Sequence, residues 1–175
     1  MRKIYIVLTF TGTILARLIR FYTRKEYSHV SIALDEDLTR MYSFGRLNPY
    51  NAFIGGFVHE GINFGTFGRF KNTKCSIKCL EVTDDQYYKL KSLIKKFEKT
   101  KKSYKFNVIG LFAVSLNLKI QKEKSFYCAE FVKYALEETN IEKELPELII
   151  PDHFNHLPKS KPVYEGLLRK YAIAK

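Results

Sequence analysis

Acidic residues are scarce in this chain: 18 Asp and Glu stand against 30 Lys and Arg, a formal net charge of +12 over 175 residues. That surplus points to attraction toward polyanions or an anionic surface and carries no information about fold. Specific nucleic-acid binding is not expected, because the main lysine face is not interleaved with aromatics. Cysteine is sparse too. Three thiols, an odd number without paired spacing, exclude a disulfide framework and suggest a reducing, cytoplasmic setting. No apolar run reaches the roughly 18 residues of a membrane span; Val108 to Leu118 is too short and contains Ser115 and Asn117. Met1-Arg2-Lys3 ahead of Ile4 to Ala16 has the outline of a secretion signal. Thr9, Thr11, Gly12 and Thr13 break that stretch and no small-residue cleavage site follows, so secretion is the lesser alternative. Tryptophan is absent. No glycine cluster precedes Lys-Ser/Thr at phosphate-binding spacing, which excludes a nucleotide loop. No repeat, low-complexity tract or linker divides the chain, so residues 1–175 read as one domain.

What is present is an alternation of strand and helix patterns that predicts a mixed α+β domain. Lys3 to Phe10 reads as a strand buried on both faces. Thr11-Gly12-Thr13 then opens a helix from about Ile14 to Arg24, with Ile14, Leu15, Leu18, Ile19 and Tyr22 as its stripe and the arginines elsewhere. Tyr27 to Leu34 and Leu38 to Phe44 form a hairpin about Asp35-Glu36-Asp37. Residues 45–68 are glycine-rich without clear period and read as a cleft-lining loop with one or two short strands. Lys74 to Val82 is a strand. Thr83-Asp84-Asp85-Gln86 matches a capping box and opens a helix to about Lys102. Its inward stripe is Tyr87, Leu90, Ile94 and Phe97, and Lys89, Lys91, Lys95, Lys96 and Lys99 make the main basic face. Tyr104 to Leu118 reads as a mostly buried helix and Lys119 to Lys124 as a charged loop. From Ile141 onward the prolines predict extended chain, with one last strand or turn around Tyr164 to Leu168.

The chemistry concentrates at Ser125 to Leu136. As a helix, that stretch places Cys128, Phe131, Val132, Ala135 and Leu136 on one stripe. With Ser125 as N-cap, Cys128 falls in the first turn, where the helix dipole favours thiolate over thiol for cysteines in general. A cysteine on an apolar stripe is, taken alone, ordinary core. A histidine changes the weighing. His29 shares a strand face with Ser31 and Ala33, a small polar set suited to the floor of a groove. A three-residue turn would put His29 opposite Ser43, and a two-residue slip would put it opposite Gly45. Cysteine in a helix's first turn and histidine on a strand packed against it is the layout of a Cys-His nucleophilic pair.

Ser28-His29-Val30-Ser31-Ile32-Ala33-Leu34-Asp35, the following Met41-Tyr42-Ser43-Phe44, and the later Tyr127-Cys128-Ala129-Glu130-Phe131-Val132 together resemble the circularly permuted papain-like cysteine hydrolases of the NlpC-type superfamily, the YiiX-like and lecithin:retinol acyltransferase-like branch. In that branch the histidine strand precedes the cysteine helix, as here. The resemblance implies an antiparallel sheet packed on the cysteine helix, Cys128 as nucleophile and His29 as general base. It further implies a third polar residue at the position of Ser43, where relatives carry Glu or His. The implied reaction is cleavage of an amide or ester bond through a thioester, on cell-wall peptide or another peptide or acylated small molecule. The Cys128 backbone amide would donate to the oxyanion, with Tyr127 as a second candidate. No cofactor is expected. The competing expectation is a catalytically weak binding module of the same fold for an anionic or acylated ligand. The lysine face could hold an anionic substrate or surface, and oligomeric state is not indicated.

Two further sets can be weighed by arithmetic. Cys75, Cys79, His153 and His156 suggest zinc, but strand positions four apart are ~13 Å distant at about 3.3 Å per residue, too far for one ion. No metal is expected. His59 reads as a loop residue, with Glu60 a remote alternative partner for His29.

Overall fold

The computed structural model of the chain describes residues 1–48, 50–115, 118, 120 and 123–171. The first strand, β1 (Arg2–Phe10), is central, and its alternation separates two cores. Ile4, Ile6 and Leu8 point into the larger core, and Tyr5 and Val7 into the smaller one. Both faces are covered, as a strand without interior charge requires.

Helix α1 (Ile14–Thr23) follows, capped by Thr13, whose hydroxyl accepts from the Ala16 amide. Then come β2 (His29–Ala33), β3 (Met41–Asn48) and β4 (Asn51–Glu60), so the glycine-rich stretch expected to be largely loop is mostly a hairpin. Glycine permits it by close approach: a Cβ on Gly55 would lie 2.7 Å from Cβ of Phe106. Short α2 (Gly65–Arg69) leads to β5 (Lys74–Val82), which matches the expected strand end to end. Helix α3 (Asp84–Thr100) carries the capping box, Thr83 accepting from the Gln86 amide and Gln86 from the Thr83 amide. Its Tyr87, Leu90, Ile94 and Phe97 are buried as expected.

The rest comprises β6 (Lys105–Phe106), α4 (Val108–Ser115), β7 (Ser125–Phe126), α5 (Cys128–Glu138), a 3-10 turn at Pro151–His156, β8 (Lys161–Leu167) and α6 (Leu168–Tyr171). Of the expected charged loop, Lys119 to Lys124, positions 119, 121 and 122 lie outside the described residues. Six strands form one antiparallel sheet in the order β4-β3-β2-β1-β5-β8, and β6 and β7 pair in parallel beside it. The architecture is α+β.

Helices α3 and α5 cover one face of the sheet, and α2 and α6 the other. The plentiful phenylalanines meet on the α3–α5 side, where Phe44 packs against Phe57, Phe97, Phe126 and Phe131 at centroid separations of 5.2 to 5.9 Å. Offset and edge-on rings at such spacing add attraction beyond their burial. Among the described residues, no helix is long and apolar enough to cross a membrane.

Candidate functional site: a Cys128–His29–Glu60 line

The cysteine helix begins later than its sequence suggests. Ser125 belongs to β7 and the N-cap is Tyr127, so Cys128 is the first helical residue instead of the third. At that position its backbone N–H has no carbonyl within the helix to meet. The five apolar-stripe residues, Cys128, Phe131, Val132, Ala135 and Leu136, are all buried against the sheet. Packing of α5 on β2 brings its first turn to the end of the sheet where β2 starts, and β2 starts at His29.

His29 is hydrogen-bonded to Glu60 on one side and lies within electrostatic reach of Cys128 on the other. Its Nε2 lies 3.0 Å from Glu60 Oε1. The second carboxylate oxygen accepts a hydrogen bond of 2.5 Å from Ser31 Oγ, and that hydroxyl is also 3.3 Å from His29 Nε2. Both oxygens of a carboxylate only 8% exposed are thereby engaged. Burial disfavours the imidazolium. The charges of Glu60 and Cys128, with the Glu60 hydrogen bond, outweigh it and raise the His29 pKa to about 10 from the ordinary 6.5.

The carboxylate corrects the expectation at Ser43. The hairpin turn does not close at Leu38: the Leu34 amide donates to the Arg40 carbonyl at 3.0 Å, and Ile32 pairs with Tyr42 and Ala33 with Met41. The Asp35 carboxylate organises this longer turn, accepting from the Thr39 amide at 2.7 Å, the Thr39 hydroxyl at 2.9 Å and Arg40 Nε at 2.7 Å. Leu38 turns inward in a left-handed conformation, φ 55°, and is buried. Extending that register puts Gly45 across from His29 and Ser43 across from Ser31. Ser43 Oγ is buried and, among the described residues, has no hydrogen-bond partner. Small residues on β3 give Glu60 room to reach over from β4. A Cβ on Gly45 would stand 3.3 Å from Ser43 Oγ, 3.4 Å from His29 Cε1 and 3.5 Å from Glu60 Oε1.

Tyr127 is not available as an oxyanion donor. Its hydroxyl donates to the Ile149 carbonyl at 2.8 Å, and its amide donates to Glu130 Oε2 at 3.0 Å. The Cys128 amide stands at the head of α5, where it has no intrahelical partner. The small polar set on β2 differs in role from the expected groove floor, since Ser31 and Ala33 are fully buried beneath α2. Only His29 reaches the cavity, together with Glu60, Gly45, Arg46 and Cys128. This cavity is about 60 Å³, walled by Leu15, Ala16 and Ile19 of α1, Leu111 of α4, Phe67 and Phe106.

Among the described residues, Arg46 is the one arginine or lysine of that lining. Its Nη2 donates to Thr13 Oγ1 at 2.7 Å, its guanidinium lies 5.8 Å from the Phe70 ring, and burial alone lowers its pKa. Sequence reasoning overlooked it. A basic residue two positions beyond a small-residue strand segment is the only signal, and it is a weak one. Glu60 was legible only as a remote candidate, because its reach depends on a turn five residues long.

The remaining candidates lie elsewhere. His59 faces away, 2.7 Å from the Thr39 carbonyl and stacked on Tyr42. Cys75 and Cys79 are buried in the smaller core. His153 Nδ1 accepts from the Ile150 amide at 3.2 Å, and His156 lies 3.8 Å from Asp152. Among the described residues, no cluster of three or more His, Cys, Asp or Glu has metal-binding geometry. No family model and no curated protein sequence matches the chain.

Proposed function

We propose that this chain is a cysteine-dependent hydrolase or acyltransferase of the permuted papain-like type, cleaving amide or ester bonds through a thioester. The observation that carries the reading is the position of His29, hydrogen-bonded to a buried carboxylate and within electrostatic reach of Cys128 on the same cavity. His29 takes the thiol proton, and the Cys128 sulfur attacks the substrate carbonyl carbon. The resulting oxyanion is met by the Cys128 amide. His29 returns the proton to the departing amine or alkoxide as the C–N or C–O bond breaks. Water, or an acceptor nucleophile, then gives a proton to His29 and displaces the sulfur. Glu60 holds the imidazole in orientation and stabilises its charged form, as a carboxylate does and a serine would not.

Arg46 suits a substrate with an anionic group near the scissile bond, such as a peptide carboxylate. Three free thiols suit a reducing compartment such as the cytoplasm. A ligand-binding module of the same fold is the second reading, favoured by one observation: Cys128 is 2% exposed and the cavity before it is small. Labelling with a thiol electrophile across pH separates the two. Under the enzyme reading Cys128 reacts at lower pH than Cys75 or Cys79, and His29→Ala abolishes that preference. Equal reactivity of the three thiols supports the binding module.

A further inference from the structure

Helix α1 has its apolar stripe on the wrong side for an ordinary surface helix. Ile14, Leu18, Phe21 and Tyr22, spaced i, i+4, i+7 and i+8, share one side, and a stripe of that kind normally faces the core. The sequence predicts burial for three of them. Instead the helix buries Ala16 and Ile19, while Ile14 is 81% exposed, Phe21 75%, Tyr22 49% and Leu18 41%. Ile109 of α4, which packs against α1, is also exposed. Arg17, Arg20 and Arg24 flank the stripe and are exposed. The helix contains no acidic residue, and among the described residues no ion pair engages these three arginines. Arg20 instead lies 5.0 Å from the Phe10 ring. On the inner side of the same helix, Leu15, Ala16 and Ile19 wall the cavity that holds Cys128 and His29.

We propose that the outer face of α1 is an interfacial surface that rests on an anionic lipid bilayer. An amphipathic helix with Phe and Leu on one side and arginine along its flank lies in the plane of a membrane interface, its apolar groups among the acyl chains and its cations among the headgroups. Anionic headgroups meet the acid-free arginine edge. A second copy of the chain would bring only more arginine to it. The lysine face of α3 offers charge without apolar depth, so α1 is the contact and α3 an outer cation layer. Docked this way, the chain presents its cavity wall to the lipid surface from which an acylated substrate would come.

The test is co-sedimentation of the full chain with phosphatidylcholine vesicles, with and without phosphatidylglycerol. The wild type is expected to pellet with the anionic vesicles and much less with the neutral ones. Leu18→Ser with Phe21→Ser, both at exposed positions outside the core, is expected to weaken binding at least about tenfold. Arg17→Glu with Arg20→Glu should weaken it by about fivefold for each arginine lost and erase the preference for phosphatidylglycerol. Lys95→Glu with Lys96→Glu on α3 should leave most binding intact. The proposal is overturned if the wild type stays in the supernatant with both vesicle types, or if the α3 pair abolishes binding while the Leu18/Phe21 pair keeps it. It is also overturned if lipid-free protein is a dimer that Phe21→Ser dissociates. Cys128→Ala is expected to pellet like the wild type, so this surface stands apart from the thiol chemistry.

Discussion

Cys75 and Cys128 are both buried, and almost everything else about them differs. Cys75 lies within β5 in the smaller core, where burial pushes its thiol up to about 12. Cys79, two pairs along the same strand, is pushed up for the same reason. Neighbouring amides on that strand are spent on the ladders with β1 and β8. Cys128 opens a helix, where the first amides have no intrahelical partner, and it faces an imidazole on the same cavity. Exposure therefore does not distinguish the structural thiols from the candidate nucleophile. What distinguishes them is whether donors and a proton acceptor remain uncommitted nearby.

The sharpest way to break this contrast is to remove the imidazole. In His29→Ala, Cys128 keeps its helix end but loses its proton acceptor, and should label no faster than Cys75. Turnover should fall roughly 10³-fold or more, and Cys128→Ala should fall as far, since a nucleophile and its base act as one unit. Active-site titration with an electrophilic acyl probe checks both. Cys75→Ala provides the contrast: unchanged turnover, with a stability loss of about 1–2 kcal/mol in denaturant unfolding from the lost buried sulfur.

Glu60→Gln tests the next link. The amide can still hydrogen-bond His29 but carries no charge, so turnover is expected to fall about 10²-fold. The pH dependence is the cleaner readout. His29 has a raised folded-state pKa, so its contribution to stability is complete below the unfolded value of 6.5 and disappears as pH rises through about 10. Between those limits the wild type should lose stability relative to His29→Ala. In a Glu60→Gln background the largest charge that raises the pKa is gone, and most of that window should close. NMR titration of the His29 ring protons, paired with unfolding curves across the same range, measures both effects.

These expectations rest on unequal reading of the sequence. Elements whose signals are local were legible: the apolar alternation of β5, the Thr83–Gln86 box of α3, and the stripe from Cys128 to Leu136. Each follows from side-chain spacing within one turn or one pleat. The Cys128–His29 meeting could be anticipated because a helix stripe and a strand face must pack together somewhere. Glu60 could not be assigned, because its arrival depends on register across three strands. That register rests on Asp35 wrapping a turn with Leu38 in a left-handed conformation, a residue type that rarely adopts it. The exposed face of α1 failed for a related reason. Periodicity shows that a helix has an apolar side but not which side the rest of the chain can cover.

Gly45→Ala probes that register directly. The added methyl would fall 3.3 Å from Ser43 Oγ, tighter than packed side chains normally sit, and 3.4 and 3.5 Å from His29 Cε1 and Glu60 Oε1, in ordinary van der Waals contact. The Ser43 hydroxyl must give by a few tenths of an ångström, and the catalytic line that packs against the same methyl is sensitive to such a shift. About tenfold lower turnover is expected, with stability changed by less than about 1.5 kcal/mol. A larger loss of stability than of activity would mean that β3 cannot yield and that Gly45 serves the sheet more than the site.

The smallest effect is expected at Ser43, and it discriminates best between the two hairpin registers. If Ser43 oriented His29, Ser43→Ala would lower turnover about tenfold and shift its pH profile. In the structure Ser43 Oγ is buried and has no hydrogen-bond partner among the described residues, and Glu60 holds the ring nitrogen that a serine would have held. Removing an unpaired buried hydroxyl takes away a desolvation penalty and no hydrogen bond. Stability should therefore stay level or rise by about 0.5–1 kcal/mol, with turnover within about twofold of wild type. Chemical unfolding and the pH–rate profile of this single variant, read side by side, decide it. A gain in stability with an unmoved profile assigns the imidazole's orientation to Glu60 alone, and a displaced profile returns Ser43 to the site.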